Sequence, residues 1–387
     1  MLNQILALTL LNLRSIPQRI GSSLVIVIGM VSVVAVVVSV LSMSSGYVDS
    51  VNKTGRRDRA IVTSGGAVSE SVSSLSRDAV LTIKDAPAIK KFADGRPIAS
   101  ADIFAYQSIN TKADHRVATA TLHGVGPEVW LLLPQIKLVT GRMFKPGRNE
   151  MVVGAMMQSQ FEGLEIGSVV ELPEGDWTIV GTFKSEADQH ESELLGDAQT
   201  LMSALRRTTF NSVTVLLESP DDFITFKDWL TIDPALSVDV VRESTYFSKL
   251  SKPLNDFLLL VASAVGGIMG LGAAFGAINT MYTAVSIRIR EIATLRAIGF
   301  SAAGVVASVL AEALVLALIG SVLGAAIARG IMDGRIVVSG YCIYSLVVTL
   351  PIMAIGIGWG IAIGMIGGIL PAIRAATLNI PSALRAI

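Results

Sequence analysis

Three stretches of this chain, residues 21–48, 257–287 and 336–373, contain no Asp, Glu, Lys or Arg, and a fourth, residues 300–328, contains only Glu312. A helix needs about 20 apolar residues to cross a bilayer core, and each run exceeds that length. Inside lipid every backbone N–H and C=O must be satisfied within the segment, which leaves the helix as the form for such runs. The expected fold class is therefore an α-helical membrane protein with four transmembrane helices. Composition agrees: 51% of the residues are hydrophobic and 16% charged, against about 25% charged in soluble proteins.

Residues 49–255 change character. Charges, prolines and turn dipeptides appear, and β-prone runs at 60–63, 117–122, 150–153, 169–172, 177–183 and 211–217 alternate with polar stretches. Helices are expected at 85–93 and 221–230, and the order 213–217, 221–230, 238–241 reads as strand, helix, strand. About 200 residues suffice for a large mixed α/β domain between the first and second spans.

The expected layout follows. Residues 1–20 form an amphipathic helix on the membrane surface, 21–48 the first span, 49–255 the domain and 256–286 the second span. Residues 287–300 are a charged connector, 301–328 the third span, 329–342 a short loop and 343–370 the fourth span. Pro351 is expected to kink that last span, Pro371 to terminate it, and 371–387 to form a tail. The first apolar run is too long and begins too late for a cleaved leader. Four spans put both termini on one side, together with Arg14, Arg19, Arg288, Arg290, Arg296, Arg374 and Arg385. The short third loop offers only Arg329 and Arg335, so the positive-inside rule makes the termini cytoplasmic. Lys53, Arg56, Arg57 and Arg59 stand against this, although long domains translocate largely regardless of charge.

In the connector, Ile289, Ile292 and Leu295 recur at helical spacing, while Arg288, Glu291 and Arg296 lie off that stripe. Gly299 fits a left-handed C-terminal cap and Ser301 an N-cap for the next helix. Two readings fit the segment: a tether whose arginines stop translocation, or an interfacial helix that contacts a partner. Gly356, Gly360, Gly364 and Gly368 fall four apart in the last run, and the pairs Gly266/Gly270, Gly272/Gly276 and Gly320/Gly324 repeat the spacing. Such rows let helix backbones approach closely, within one bundle or across a dimer. Glu312, the intramembrane acid, reads as a structural residue, hydrogen-bonded or protonated, with no charged partner in the spans; the alternative is a proton relay.

The chain carries no Gly-x-x-x-x-Gly-Lys-Ser/Thr phosphate loop and no Gly-x-Ser-x-Gly elbow. Its three histidines, His115, His123 and His190, lack metal-ligand spacing. Residues 188–193 read as a solvated acidic loop, the alternative being a stretch that recruits a cation. The single cysteine, Cys342, excludes an intramolecular disulfide, and zero net charge argues against nucleic acid as a partner. No catalytic, cofactor-binding or metal-binding residue is expected, and the chain is not expected to be an enzyme.

Two motifs carry a resemblance. The segment Arg290-Glu291-Ile292-x-x-Leu295-Arg296-Ala297-x-Gly299 resembles the cytoplasmic segment after the second span of MacB/LolC/FtsX-type ABC permeases. The ending Gly368-Ile369-Leu370-Pro371-Ala372-Ile373-Arg374-Ala375-Ala376, followed by Pro381-Ser382-Ala383-Leu384-Arg385, is similar to their C-terminal signature. Gly141-Arg142-Met143-Phe144, Glu150-Met151-Val152-Val153-Gly154, Gly167 and Ile179-Val180-Gly181 look like the extracytoplasmic core of the MacB and LolC branches. MacB itself carries a fused ATPase domain, which is missing here. Ala293 stands where many relatives have glycine, and Phe300 where they often have alanine.

The resemblance implies a type VII permease of the bacterial inner membrane, with a Porter-like domain and a strand-rich Sabre-like part near residues 97–185. Residues 287–300 would be a coupling helix seated on a separate ABC ATPase present in two copies, which would hold the ATP and Mg. Arg288, Arg290, Glu291, Leu295, Arg296 and Gly299 would serve that contact. A second permease copy, identical or not, would complete a dimer. A periplasmic adaptor and an outer-membrane channel are further partners the resemblance suggests. ATP-driven closure would be transmitted to the outer domain (mechanotransmission) to export or extract a lipoprotein, peptide or amphiphile. The alternative is an FtsX-like relay that activates a cell-wall hydrolase.

Overall fold

The computed structural model describes residues 20–172, 175–234, 236–339 and 342–377. All but the last residue of the helix expected over residues 1–20, and most of the expected tail, lie outside the described residues. In chain order the elements are α1 (Ile20–Thr54), β1 (Arg59–Ser64), α2 (Arg77–Lys84), β2 (Ala99–Asn110), β3 (Val117–Val125), α3 (Val129–Leu132), β4 (Lys137–Gly141) and β5 (Glu150–Gly154). Next come α4 (Ala155–Gln160), β6 (Val169–Leu172), β7 (Gly175–Lys184), β8 (Glu193–Asp197), α5 (Ala198–Ala204), β9 (Ser212–Leu216), α6 (Phe223–Ile232) and β10 (Val238–Arg242). The chain then runs through α7 (Glu243–Ile287), α8 (Ile289–Ala297), α9 (Ala302–Met332), β11 (Ile336–Ser339), β12 (Cys342–Ser345) and α10 (Leu350–Ala376). It divides into two units, one holding residues 256–335 with the ends of the chain, the other residues 46–255 with 336–345.

In the first unit, α1, α7, α9 and α10 are long and apolar enough to cross a membrane. Their bundle is closed by glycines. A methyl built on Gly320 would lie 2.7 Å from Met30 Cβ and 2.8 Å from the Val27 carbonyl oxygen; one on Gly324 would lie 2.7 Å from the Val31 carbonyl oxygen. On α10, Gly356 meets Val38, Gly360 meets Ser321, Gly364 meets Ala317 and Gly368 meets Ala313. Gly266 meets Val37, and Gly270 meets Ile363. These rows therefore pack within one chain, and only the Gly272/Gly276 pair faces open space. The reason is the missing Cβ, which lets backbones approach where hydrophobic burial supplies no driving force.

Two prolines depart from expectation. Pro351 stands in the first turn of α10 and begins the helix, where its missing N–H costs nothing. Helix α10 continues past Pro371 to Ala376, its last turns held by the burial of Pro371, Ala372 and Ala375.

The second unit is built on one sheet in the order β10-β1-β9-β2-β3-β8-β5-β7-β4, with β6 paired to β7. The pairs β3/β8 and β5/β7 are parallel and the others antiparallel. All six runs expected as strands are strands, and the strand–helix–strand reading is met by β9, α6 and β10. Strand β2 does two jobs: Ala99–Asp102 pairs with β9, whereas Ile103–Asn110 pairs with β3. The helix expected at 85–93 lies earlier, as α2. Ser76 caps it by accepting from the Ala79 N–H, and Ala88, at φ +70°, breaks any helix after it. Strand β11 lies in the expected loop, but its partner β12 takes residues expected to open the fourth span, which begins instead at Leu350, and Ile343 joins the core of this unit.

Candidate functional site

The charged connector folds as α8. Gly299, at φ +106°, adopts the left-handed cap expected of it: its N–H donates to the Arg296 carbonyl and the Phe300 N–H to the Leu295 carbonyl. Ser301 Oγ accepts from the Gly304 N–H and starts α9. Ile292 and Ala293 are buried, Leu295 is half-buried, and Arg290, Glu291, Ala297 and Ile298 are exposed.

Within this segment the residues have separate roles. Arg288 turns inward, 7% exposed, and its Nη1 lies 3.5 Å from Glu312 Oε2 on α9. Glu312, for which no charged partner was expected in the spans, meets one that comes from the connector. Glu291 lies 4.0 Å from Arg288 on the exposed side. Arg296 is half-buried and donates to the Ala376 carbonyl at the end of α10. Leu295 lines a small pocket with Met281, Ile292, Val309 and Glu312 and so faces the spans. Ile298, which sequence reasoning passed over, is 73% exposed.

A second constellation sits in the sheet. Alternation along β2 sends Ala101, Ile103 and Ala105 into the apolar core, and leaves Ser100, Asp102 and Phe104 for the other face. The same alternation puts Ala120 and Leu122 of β3 in the core, and Thr121 and His123 opposite. Register does the rest: Phe104 faces His123 across β2/β3, and Thr121 faces Glu193 across β3/β8. This polar face lines a cavity of about 470 Å³ together with Tyr47, Glu70, Tyr246, Phe247 and Leu250.

Residues 188–193, expected to be a solvated acidic loop, are instead buried there. Asp188 is 1% exposed, His190 6% and Glu193 4%. The Asp188 carboxylate caps a short 3-10 turn by accepting from the His190 N–H, and β8 begins at Glu193. Glu193 Oε2 lies 2.8 Å from His123 Nδ1 and 3.2 Å from His190 Nδ1. Burial opposes charge on all three side chains, but their mutual attraction outweighs it. Glu193 is held down to about 2, His190 is pushed up to about 9, and His123 is raised. Glu70 is pushed up to about 7 by burial, against the hydrogen bond it accepts from Ser212 Oγ at 2.6 Å.

Sequence reasoning missed this meeting because His123 and His190 lie far apart in the chain. The signal available was the spacing His190-x-x-Glu193 next to strand alternation around His123. The basic cluster after α1 is also resolved. Lys53 pairs with Asp49 at 2.7 Å, Arg56 with Asp58 at 2.8 Å, and fully buried Arg59 with Glu243 at 2.7 Å. The two motif pieces around residues 142 and 150 meet through a bidentate pair, with Arg142 Nη1 and Nη2 at 2.6 and 2.8 Å from the Glu150 carboxylate.

The family model of the MacB-like periplasmic core domain matches residues 21–231, and that of the FtsX-like permease C-terminal domain matches residues 263–380. Among solved structures the chain is similar to the extracellular domain of the noncanonical ABC-type transporter YknZ from Gram-positive bacteria. That similarity is at 14% identity and TM-score 0.36, over 47% of this chain and 99% of that one. It is also similar to the periplasmic region of MacB from Actinobacillus actinomycetemcomitans, at 14% identity and TM-score 0.38, over 53% of this chain and 97% of that one. No curated protein matches the chain. Two family models, in chain order and together reaching from residue 21 to residue 380, leave one conclusion: the chain belongs to the MacB/FtsX-type ABC-transporter permeases.

Proposed function

We propose that this permease couples ATP hydrolysis on a separate pair of ATPase subunits to movement of the domain formed by residues 49–255. In this reading the termini and α8 are cytoplasmic, the domain lies outside the inner membrane, and a second permease copy completes the assembly. ATP and Mg belong to the partner. Work done on the domain drives export or extraction of a lipoprotein, peptide or amphiphile, by mechanotransmission rather than through a pore.

The observation that carries this reading is the two-sidedness of α8. Its apolar side (Ile292, Ala293 and, in part, Leu295) is held against the spans. Its other side presents Arg290, Glu291 and Ile298 to solvent, on a helix fixed at both ends. A tether has no need of an ordered helix with a glycine C-cap and an exposed isoleucine beside it.

The test separates the two faces. Ile298→Ser and Glu291→Arg should abolish copurification with the ATPase and lower permease-stimulated ATP hydrolysis at least tenfold, with the melting temperature of the solubilised permease unchanged. Leu295→Ser should lower that melting temperature. Full coupling in Glu291→Arg and Ile298→Ser would return α8 to the role of a tether.

A further inference from the structure

His190 and Glu193, three residues apart, converge with His123 from a distant strand on one point. One donor atom from each lies within 4.8 Å of the other two, and all three side chains are buried. The distances from Glu193 Oε2 to the two Nδ1 atoms are 2.8 and 3.2 Å, hydrogen-bond lengths that a metal ion taken up between these atoms would open to the edges of a ligand tetrahedron. With metal–ligand bonds of about 2.0–2.1 Å, such edges measure about 3.3 Å.

A second observation is independent of these distances. The Nε2 atoms of both imidazoles are buried and have no hydrogen-bond partner among the described residues. Each ring is thus hydrogen-bonded to the rest of the described protein through Nδ1 alone, the atom that would turn to the metal.

We propose that His123, His190 and Glu193 bind one divalent transition-metal ion, Zn²⁺ by the chemistry of the set, on the wall of the domain's cavity. Two imidazoles and a carboxylate, without thiolate, suit Zn²⁺ and exclude the hard cations Ca²⁺ and Mg²⁺, which take oxygen ligands. Three protein ligands leave a fourth position, and the cavity of about 470 Å³ lined by the same three residues supplies room for water or a donor group of a bound molecule to fill it. Phe104 stacks on the His123 ring at 4.2 Å between centroids and fixes its plane. The inference does not depend on ATPase coupling.

The experiment uses the full chain, solubilised, without a polyhistidine tag and stripped with EDTA. Zn²⁺ is titrated by calorimetry, and Co²⁺ by its visible absorption. The expected result is one Zn²⁺ per chain, displacing Co²⁺ from a four-coordinate spectrum. His190→Ala and Glu193→Gln should weaken binding by more than the roughly 10–100-fold that outer-shell changes cost. His115→Ala is the control: that histidine is exposed, pairs with Glu162 at 2.6 Å, and should leave binding intact. The wild-type Co²⁺ spectrum decides the case even if a buried variant fails to fold. Weak, superstoichiometric binding by the wild type, no binding, or unchanged affinity in folded His190→Ala would each overturn the proposal.

Discussion

Arg288, just before α8, and Glu312, ten residues into α9, face one another at 3.5 Å with both side chains buried. The pair ties the charged connector to the third span.

Removing one member of a buried ion pair strands the other charge, at a cost of roughly 3–5 kcal/mol. Arg288→Ala and Glu312→Gln should therefore each lower the melting temperature of the solubilised chain. The double replacement Arg288→Met with Glu312→Leu should recover most of the loss. Additive losses in the double variant would show that the two residues act separately.

Glycines that meet a neighbouring helix should behave differently from those in open space. Gly364→Leu drives a side chain into Ala317 and should cost roughly 1–3 kcal/mol through overpacking. Gly272→Ala meets nothing within 4 Å and should be neutral or stabilising, since alanine is the better helix former. Thermal melts of the two variants rank them directly. Equal destabilisation would mean that Gly272 also lies against a packed surface.

Glu70 gives the domain a pH dependence. Its carboxyl ionises near 4.5 when unfolded and near 7 when folded, so folding takes up a proton between these values. That contribution is fully present below pH 4.5 and is lost as pH rises toward 7, with a ceiling of about 3 kcal/mol. Glu70→Gln keeps an acceptor for Ser212 and removes the titration. Its melting temperature, measured in EDTA, should match wild type at pH 4.5 and exceed it at pH 8. A difference independent of pH would show that folding does not shift the ionisation of Glu70.

Much of this architecture was readable from residue order alone, because membrane helices and strands are set by local pattern. Charge-free runs long enough to span, the caps at Gly299 and Ser301, and the alternation in β2 and β3 are short-range signals. What the sequence left open concerned neighbours. Glycine rows looked the same whether they faced another span or another chain, and only Val27, Met30, Ser321 and Ala317 decided the matter. Glu312 looked unpartnered because Arg288 lies 24 positions away and turns inward at the start of a new helix. The helix past Pro371 needed the burial of Ala372 and Ala375 to persist. Residues 188–193 have the composition of a surface loop, and their burial follows from the parallel register of β3 and β8. That register brings His123, 70 residues from Glu193, against a carboxylate that also holds His190. Local preference determined the elements of this protein, and long-range pairing in the sheet and bundle decided which charged side chains meet, because burying a charge is tolerable only where a partner from elsewhere in the chain arrives to balance it.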